Sequence, residues 1–376
     1  MPPPAPSPIL LRRLIFSLFP ALDSGLLGAF AYGSVAFPQH GRSAADSQLD
    51  LILIVLDPLR WHMDNIQRNP LHYNYLIHHS LKTFRTPFVL ETVLSKCPGP
   101  QIYFNPFLTW YDPVKQQQVS IKYGVVGLHS VMRDLKFWSD LYIAGRLHKP
   151  VLWAPFRNDV ADSQSELCDK FKIAQQNNLL AAVSYVLLNL PPNTEILEEP
   201  DLFHSLASIS YDGDWRMLVG EDKYKVSRLV TGADRLFRFR QLYKMTFTHP
   251  TLSNLVRLIP ATSDLDGPYC LCFSQPLDST EVISRLLHNL PHRFCDEAVA
   301  LGGISDNTLS SYDVLLRATD EQRRLWLRRC AARTVRRSSI KQTAFSMFTA
   351  GPARSFAYAK AKLRKMFASL GVLNWK

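Results

Sequence analysis

The chain has 376 residues, of which 47% are apolar and 20% are charged. This composition supports a folded core and excludes a wholly disordered protein, and the length is enough for two domains of ordinary size. The formal net charge of +11 favours a polyanionic partner, either nucleic acid, a nucleotide or an anionic membrane surface. No apolar run approaches the roughly 20 residues of a membrane span, so a function at a membrane requires peripheral association.

The first residues carry Arg12 and Arg13 and no acidic residue before Asp23, which is compatible with a mitochondrial import signal. A first core helix would show the same pattern, so both interpretations stay open. Apolar spacing predicts this helix over residues 9–27, followed by a short strand over 29–32.

The apolar run over residues 49–55 is too short for a helix and is predicted as a buried central strand. Two further strands are predicted within 101–126, with a turn at Asp112-Pro113 between them. A helix over 130–146 completes an α/β first half. The sequence therefore predicts a sheet-based first domain that ends near Pro150.

The second half is predicted to be mainly helical, with a helix over 166–190 and a helix–loop–helix over 200–229. Cys270 and Cys272 alternate in an apolar run and lack a second cysteine pair, so a buried strand with reduced thiols is predicted rather than a zinc site. Residues 355–370 predict a basic amphipathic helix, suited to an anionic bilayer interface or to packing on the protein's own core.

A Gly33-Ser34 turn follows the first predicted strand, and Asp50 opens the next strand. Backbone N–H groups and a hydroxyl in such a turn can bind a triphosphate, and a carboxylate at the adjacent strand end can hold Mg²⁺. Nucleotidyltransferases of the polymerase-β type combine these features. The alternative is that Asp50 is an ordinary strand-end residue.

That class of enzyme normally carries two carboxylates at alternate strand positions, which place both side chains on one face. Here Gln48 and Ile52 occupy the positions on either side of Asp50. A second metal ligand must therefore come from elsewhere, with Asp46, Asp57 or an acid of the 212–222 loop as candidates.

Cations near the end of the first half are candidates for phosphate binding. Lys122 lies inside an apolar strand, where an ammonium group is costly unless an anion pairs with it. Arg146 and Lys149 follow an apolar helix face, and arginine offers bidentate geometry to phosphate. A lysine whose head group reaches solvent, and an ordinary pair of helix-end cations, are equally compatible.

A charged segment over residues 211–226 mixes acids that suit Mg²⁺ with bases that suit phosphate. An ordinary solvated turn would have the same composition. Its charged members are Asp212, Asp214, Arg216, Glu221, Asp222, Lys223 and Lys225.

Seven segments of the chain, taken in order, resemble one known family. They are AYGSVAFPQ (31–39), LDLILIVLDPLRWHMDNIQRNPLHYNYL (49–76), YFNP (103–106), IKYGVV (121–126), LYIAGRLHKPV (141–151), YDGDWRMLVGEDKYKV (211–226) and SSIKQTAFSMFTAG (338–351). The family is that of the mitochondrial translocator assembly and maintenance proteins, which are mitochondrial CDP-diacylglycerol synthases. The resemblance covers nearly the whole chain, with residues 250–325 matching least.

The resemblance implies an α/β (α+β) fold in three parts. Residues 1–150 would form a polymerase-β-like nucleotidyltransferase domain with a mixed sheet, and residues 151–335 a helical winged-helix-like domain. Residues 336–376 would form a basic segment with a membrane-associating amphipathic helix.

The resemblance also implies a reaction and its site. The enzyme would transfer CMP from CTP to phosphatidic acid with Mg²⁺ as cofactor, feeding cardiolipin synthesis from the matrix face of the inner membrane. An anionic membrane surface is an implied partner, a homodimer is left open, and no nucleic acid is expected. The implied catalytic residues are Asp50, Lys122, Arg146 and Asp222, the nucleotide-binding residues Tyr32, Gly33, Ser34, Arg216, Lys223 and Lys225, and the metal ligands Asp50 and Asp212.

One departure bears on activity. The family usually has Gly-Ser-Gly at the first motif, whereas this chain has Val35 in the last position. A β-branched residue limits positive φ and close approach of the backbone to phosphate. Together with the missing alternate carboxylate, this departure leaves a non-catalytic membrane scaffold of the same fold as one alternative. The net charge permits a second alternative, a nucleotidyltransferase of the same fold for another acceptor.

Overall fold

The computed structural model describes ten stretches of the chain, and they fall into two compact units. Unit 1 is drawn from residues 1–131, 151–167 and 340–376, and unit 2 from residues 132–150 and 168–339. The described residues are 7–20, 25–37, 48–84, 87–96, 99–112, 116–154, 162–219, 225–261, 268–304 and 308–350. The predicted three-part division of the chain remains a prediction.

Unit 1 is built on a five-stranded mixed sheet, which confirms the predicted α+β class. Its strands are β1 (Leu26–Tyr32), β2 (Leu49–Val55), β3 (Tyr103–Asp112), β4 (Gln117–Gly127) and β5 (Leu152–Trp153). Their order in the sheet is β3-β4-β2-β1-β5. Strand β2 pairs with β4 in parallel and with β1 in antiparallel, so it lies at the centre of the sheet.

The central position of β2 in the sheet explains its apolar composition. Leu51, Ile52, Leu53, Ile54 and Val55 are all buried, so both faces of the strand are covered, as the continuous apolar run predicts. The helices of unit 1 are α1 (Pro8–Leu18), α2 (Gly33–Ala36), α3 (Pro58–Arg68), α4 (Tyr75–Phe84) and α5 (Phe88–Lys96), with a 3₁₀ turn at Pro70–His72.

The predicted helix over residues 9–27 was too long, because α1 ends at Leu18. Phe19 precedes a proline and is extended, at φ −104° and ψ 160°, since the ring of Pro20 disfavours helical backbone before it. Ser7 caps the N-terminus of α1, and its hydroxyl accepts a hydrogen bond from the Leu10 N–H. Leu11 and Phe19 are fully buried, so this segment is part of the core of unit 1.

A buried polar network lies under α3. The Asn65 side-chain amide donates to the hydroxyls of Tyr73 and Tyr123, both at 2.9 Å. The Tyr73 hydroxyl lies 2.7 Å from Nδ1 of His62. Burial lowers the pKa of His62 to about 3, so its ring is neutral. His62 therefore has a packing role in the core of unit 1.

Unit 2 combines helices with a three-stranded antiparallel sheet. Strands β6 (Ile196–Glu198), β7 (Val256–Pro260) and β8 (Tyr269–Phe273) take the order β6-β8-β7. Cys270 and Cys272 carry free thiols and lie on either side of the buried Leu271 in β8, as predicted. Whether this unit is winged-helix-like remains a prediction.

The remaining helices contribute residues to unit 2, and α6, α8 and α17 also extend into the sequence ranges of unit 1. They are α6 (Leu128–Phe137), α7 (Ile143–Leu147), α8 (Asp162–Leu188), α9 (Glu199–Ser208), α10 (Arg216–Val219), α11 (Lys225–Val230), α12 (Ala233–Phe247), α13 (Pro250–Ser253), α14 (Thr280–His288), α15 (His292–Leu301), α16 (Ser311–Arg317) and α17 (Asp320–Ala350).

The single helix predicted over residues 130–146 is two helices, α6 and α7. Between them Trp138 and Leu141 have left-handed backbone, at φ 51° and 50°. The buried carboxylate of Asp134 accepts four backbone N–H bonds, from residues 140, 141, 143 and 144, at 2.8–2.9 Å. These bonds replace helical ones and hold the turn that starts α7.

The predicted amphipathic helix over residues 355–370 lies outside the described residues. Among the helices that are described, none is long and apolar enough to span a bilayer.

Candidate active site

Three of the predicted site residues become neighbours because of strand register. Tyr32 at the end of β1 is paired with Asp50 on β2, and Asp50 is paired with Lys122 on β4. Adjacent strands lie about 4.8 Å apart, so paired residues share one edge of the sheet. The sheet thus brings together, at the start of β2, residues that are far apart in sequence.

Gly33 turns the chain at this edge. Its φ of +85° lies in the left-handed region that favours glycine, and it begins α2 directly after β1. A Cβ at this position would lie 3.0 Å from Oδ2 of Asp50. Ser34 is half-buried beside it, and none of the described hydrogen bonds uses its hydroxyl. The turn and the carboxylate therefore form one contiguous surface.

Val35 does not occupy the conformation that would require glycine. The left-handed backbone falls on Gly33, whereas Val35 is within α2 and packs against the core of unit 1. The β-branched side chain is thereby accommodated. The departure from Gly-Ser-Gly leaves the geometry of the turn intact.

Lys122 is paired, as its place in an apolar strand requires. Its Nζ lies 3.9 Å from Oδ1 of Asp50 and 4.6 Å from the centre of the Phe104 ring. The side chains of Lys122 and Asp50 are 17% and 29% exposed, so both reach solvent at the strand end. A cation over an aromatic face is stabilised there and remains able to meet an anionic ligand.

No second carboxylate joins Asp50 within the described part of unit 1. Gln48 donates to the Ser120 hydroxyl at 3.1 Å. Asp57 lies at the opposite end of β2, where it accepts from the Arg60 N–H as the N-cap of α3. Asp46 lies outside the described residues. Across the described residues, no group of three or more histidine, cysteine or acidic side chains could hold a metal.

Unit 2 contains a cleft at the turn between α6 and α7, and it includes two of the predicted site residues. Arg146 on α7 and Arg216 on α10 both line it. Asp214 binds Arg216 through paired contacts, with Nε 3.0 Å from Oδ1 and Nη2 2.7 Å from Oδ2. This bidentate pair fixes the guanidinium of Arg216.

Lys149 and Lys225 both lie against the aromatic ring of Tyr211 at this cleft. Their ammonium groups are 4.7 Å and 5.3 Å from the centre of the Tyr211 ring. Lys149 is buried and donates to the Gly145 carbonyl and to the Ser210 hydroxyl. Burial, together with the charges of Arg146 and Lys225, lowers the pKa of Lys149 well below its usual value.

Asp212, predicted as a metal ligand, does not line this cleft. Partial burial raises the pKa of its carboxyl group, and the charges of Arg328 and His204 oppose that effect. Asp50 and Asp212 belong to different units, and the predicted pairing of the two as metal ligands remains a prediction. The predicted site residues Asp222 and Lys223 lie outside the described residues.

Several side chains at these two places were not predicted from sequence. Phe104 belongs to the YFNP segment, and its aromatic face was the only available signal. Ser338 and Ser339 begin the SSIKQTA segment, but their spacing from other polar residues matches no catalytic or binding motif. Asp134 gave no signal, because its role depends on a turn that interrupts a helical pattern.

The mixed sheet, the Gly33-Ser34 turn and the strand-end carboxylate are consistent with an α+β fold of the nucleotidyltransferase-like class. Residues 15–365 match the family model described as mitochondrial phosphatidate cytidylyltransferase. The chain belongs to this family.

Relatives of that description match over nearly their full length. The protein of Mus musculus is 31% identical over 363 residues, which cover 95% of this chain and 94% of the mouse protein. The protein of Xenopus laevis is 33% identical over 367 residues, with 95% of each chain covered. The protein of Rattus norvegicus is 32% identical over 363 residues, covering 95% and 94%.

Proposed function

We propose that this chain is a phosphatidate cytidylyltransferase, which transfers CMP from CTP to phosphatidic acid and releases pyrophosphate. The observation that carries the proposal is the convergence of Gly33, Asp50 and Lys122 at one sheet edge in a member of this family. The mouse and Xenopus relatives are named as mitochondrial enzymes with this activity.

In the proposed reaction, a phosphate oxygen of phosphatidic acid attacks the α-phosphorus of CTP. One P–O bond forms, the bond to the β-phosphate breaks, and pyrophosphate leaves. The attacking oxygen is already ionised near neutral pH, so no strong general base is required. Positioning and charge neutralisation therefore account for the catalysis.

Unit 1 would bind the nucleotide phosphates. Backbone N–H groups after Gly33 and the hydroxyl of Ser34 would donate to phosphate oxygens, with Tyr32 beside them. Lys122 would neutralise charge that develops on the phosphates. Asp50 now contacts the Lys122 ammonium group. When the nucleotide is bound, Asp50 would release that group and hold the metal ion instead.

A divalent cation fits this edge. Asp50 offers a half-exposed hard oxygen ligand beside an open glycine turn, and Mg²⁺ commonly takes one or two carboxylates with the rest of its ligands from phosphates and water. When held by Asp50, Mg²⁺ would offset the negative charge of the phosphates.

The remaining predicted residues belong to unit 2 or to the loop after α10. Arg146 would act in catalysis together with Asp222, and Arg216, Lys223 and Lys225 would bind the nucleotide. The roles of Asp222 and Lys223 are inferred from the family resemblance.

The substrate phosphatidic acid places the reaction at a lipid surface. We propose peripheral association with the matrix face of the mitochondrial inner membrane, through the basic segment over residues 336–376. The net charge of +11 favours anionic lipid. CDP-diacylglycerol made there would feed cardiolipin synthesis.

The test is product formation by the purified full chain. Vesicles of phosphatidic acid in phosphatidylcholine are supplied with labelled CTP, with Mg²⁺ or with a chelator. Metal-dependent CDP-diacylglycerol is the expected result. Folded protein that binds the vesicles but forms no product would overturn the proposal and support the non-catalytic scaffold.

A further inference from the structure

Three serines line the cleft of unit 2, Ser210, Ser338 and Ser339, and the hydroxyl of Ser339 donates to the Arg336 carbonyl. Ser210 follows α9, and Ser338 lies on α17. Ser338 is only 3% exposed, and its hydroxyl has no hydrogen-bond partner among the described residues. Buried polar groups normally have partners, because an unsatisfied one destabilises the folded protein. An orphan hydroxyl in the lining of a cleft therefore suggests that its partner is a ligand.

The hydroxyl of Ser210 is oriented by a lysine. Lys149 Nζ donates to the Ser210 oxygen at 2.5 Å and to the Gly145 carbonyl at 2.6 Å. Because the Ser210 oxygen accepts from an ammonium group, its own proton is available for donation, and no described acceptor takes it. A side chain at Gly145 would collide with the Ser210 Cβ, so the two segments are in close contact.

The charged groups around the cleft leave an excess of donors. The Asp214 carboxylate is occupied by Arg216, and Asp140 lies 3.4 Å from Arg133. No described carboxylate pairs with the buried Lys149. Arg146 adds a guanidinium to the lining. A site rich in donors and cations, with its acids already paired, suits an anion.

We propose that this cleft is a phosphate-binding subsite, in which the hydroxyls of Ser338 and Ser210 donate to oxygens of one phosphate group beside Arg146. The inference rests on the proposed function, since both substrates carry phosphate. The shared chemistry is a phosphate oxygen, and its source is either the nucleotide or the lipid head group.

The experiment compares Ser338→Ala with Ser80→Ala in the full chain. Ser80 is the matched control, because it is an equally buried helical serine that does not line the cleft, and its hydroxyl donates to the Ile77 carbonyl at 2.9 Å. Binding is measured by calorimetry with CTP and Mg²⁺. Co-sedimentation measures binding to phosphatidic acid vesicles, with phosphatidylcholine vesicles as the blank.

Ser338→Ala is expected to weaken binding of one of these ligands about tenfold, the loss of one hydrogen bond to a charged group. A loss confined to CTP assigns the subsite to the nucleotide, and a loss confined to vesicles assigns it to the lipid. Ser80→Ala is expected to bind both ligands like the unmodified chain. Unchanged binding of both ligands by Ser338→Ala overturns the inference.

Thermal unfolding separates a binding role from a structural role. Removing an unsatisfied hydroxyl should leave the melting temperature of the free protein unchanged or raise it. A larger fall for Ser338→Ala than for Ser80→Ala would reveal a structural partner and contradict the inference.

Failure of the subsite can be distinguished from failure of the proposed function. If Ser338→Ala forms product with unaltered KM values, the proposed function stands and the subsite is disproved. If binding depends on Ser338 but the unmodified chain forms no product, the subsite stands and the proposed function is disproved.

Discussion

A methyl group on Gly33 would lie 3.0 Å from Oδ2 of Asp50, a separation closer than most real Cβ contacts. The turn and the carboxylate are therefore matched in position, and the left-handed backbone of Gly33 maintains that match. A triphosphate bound at this turn would therefore lie beside the Asp50 carboxylate, the residue proposed to hold the metal ion.

Gly33→Ala is predicted to impair both the backbone and the site. Left-handed backbone costs a non-glycine residue about 1–2 kcal/mol, and the added carbon displaces the Asp50 carboxylate. We expect kcat/KM for CDP-diacylglycerol formation to fall at least about tenfold. Gly303→Ala is the control, since Gly303 has a similar φ of +77° and nothing within 4 Å of the added carbon. Equal losses of activity in both variants would show that strain alone is responsible.

Asp50→Asn is predicted to abolish most activity. The amide is a poor ligand for Mg²⁺ and leaves the Lys122 ammonium without its described anionic partner, 3.9 Å away. We expect kcat to fall by about 10² or more. Asp57→Asn is matched to it, because Asp57 lies at the other end of the same strand and asparagine also caps helices. Activity in the Asp50 variant comparable to that of the Asp57 variant would exclude a metal at Asp50.

Asp134→Asn is predicted to destabilise the protein by about 3 kcal/mol, because an amide cannot accept all four N–H bonds. The turn between α6 and α7 would loosen, and α7 carries Arg146. The melting temperature and kcat should both fall. Asp169→Asn is the control, since Asp169 forms only an exposed pair with Lys172. A melting temperature that falls no further than in this control would contradict the role assigned to Asp134.

The sheet could be predicted because its local signals and its tertiary setting agree. The run over residues 49–55 is apolar at every position but Asp50, and only a central strand with two covered faces suits it. Asp50 could be identified because a charged carboxylate is unexpected at the start of an otherwise apolar, buried strand. Its pairing with Lys122 depends on parallel register between residues 72 positions apart in the chain, and one sequence carries no signal for register.

The turns were less predictable. Residues 130–146 have a helical pattern, yet four backbone bonds to the buried carboxylate of Asp134 stop the helix and start another. Those bonds form only in the folded state, so periodicity cannot reveal them. Likewise, Ser338 is one serine in a long helix, and its unpaired hydroxyl becomes notable only once the surrounding cleft exists.

Acid is predicted to destabilise the protein through two buried histidines, His62 and His148. Burial lowers both pKa values to about 3, with Lys149 contributing at His148. In the unfolded chain each ring has a pKa near 6.5, so the unfolded state binds more protons once the pH falls below that value. Stability should therefore decline from about pH 6.5 down to about pH 3, by about 2 kcal/mol per histidine at pH 5.

The measurement is the free energy of unfolding in urea at several pH values between about 7 and about 5. His62→Gln should be less stable at neutral pH, since the Tyr73 hydroxyl loses its ring partner, but its stability should depend less on pH. His79→Gln, at an exposed position, should keep the full pH dependence. A His62→Gln slope equal to that of the unmodified chain would mean that His62 is protonated in the folded protein. The neutral state assigned to the His62 ring in the network with Asn65 and Tyr73 would then be wrong.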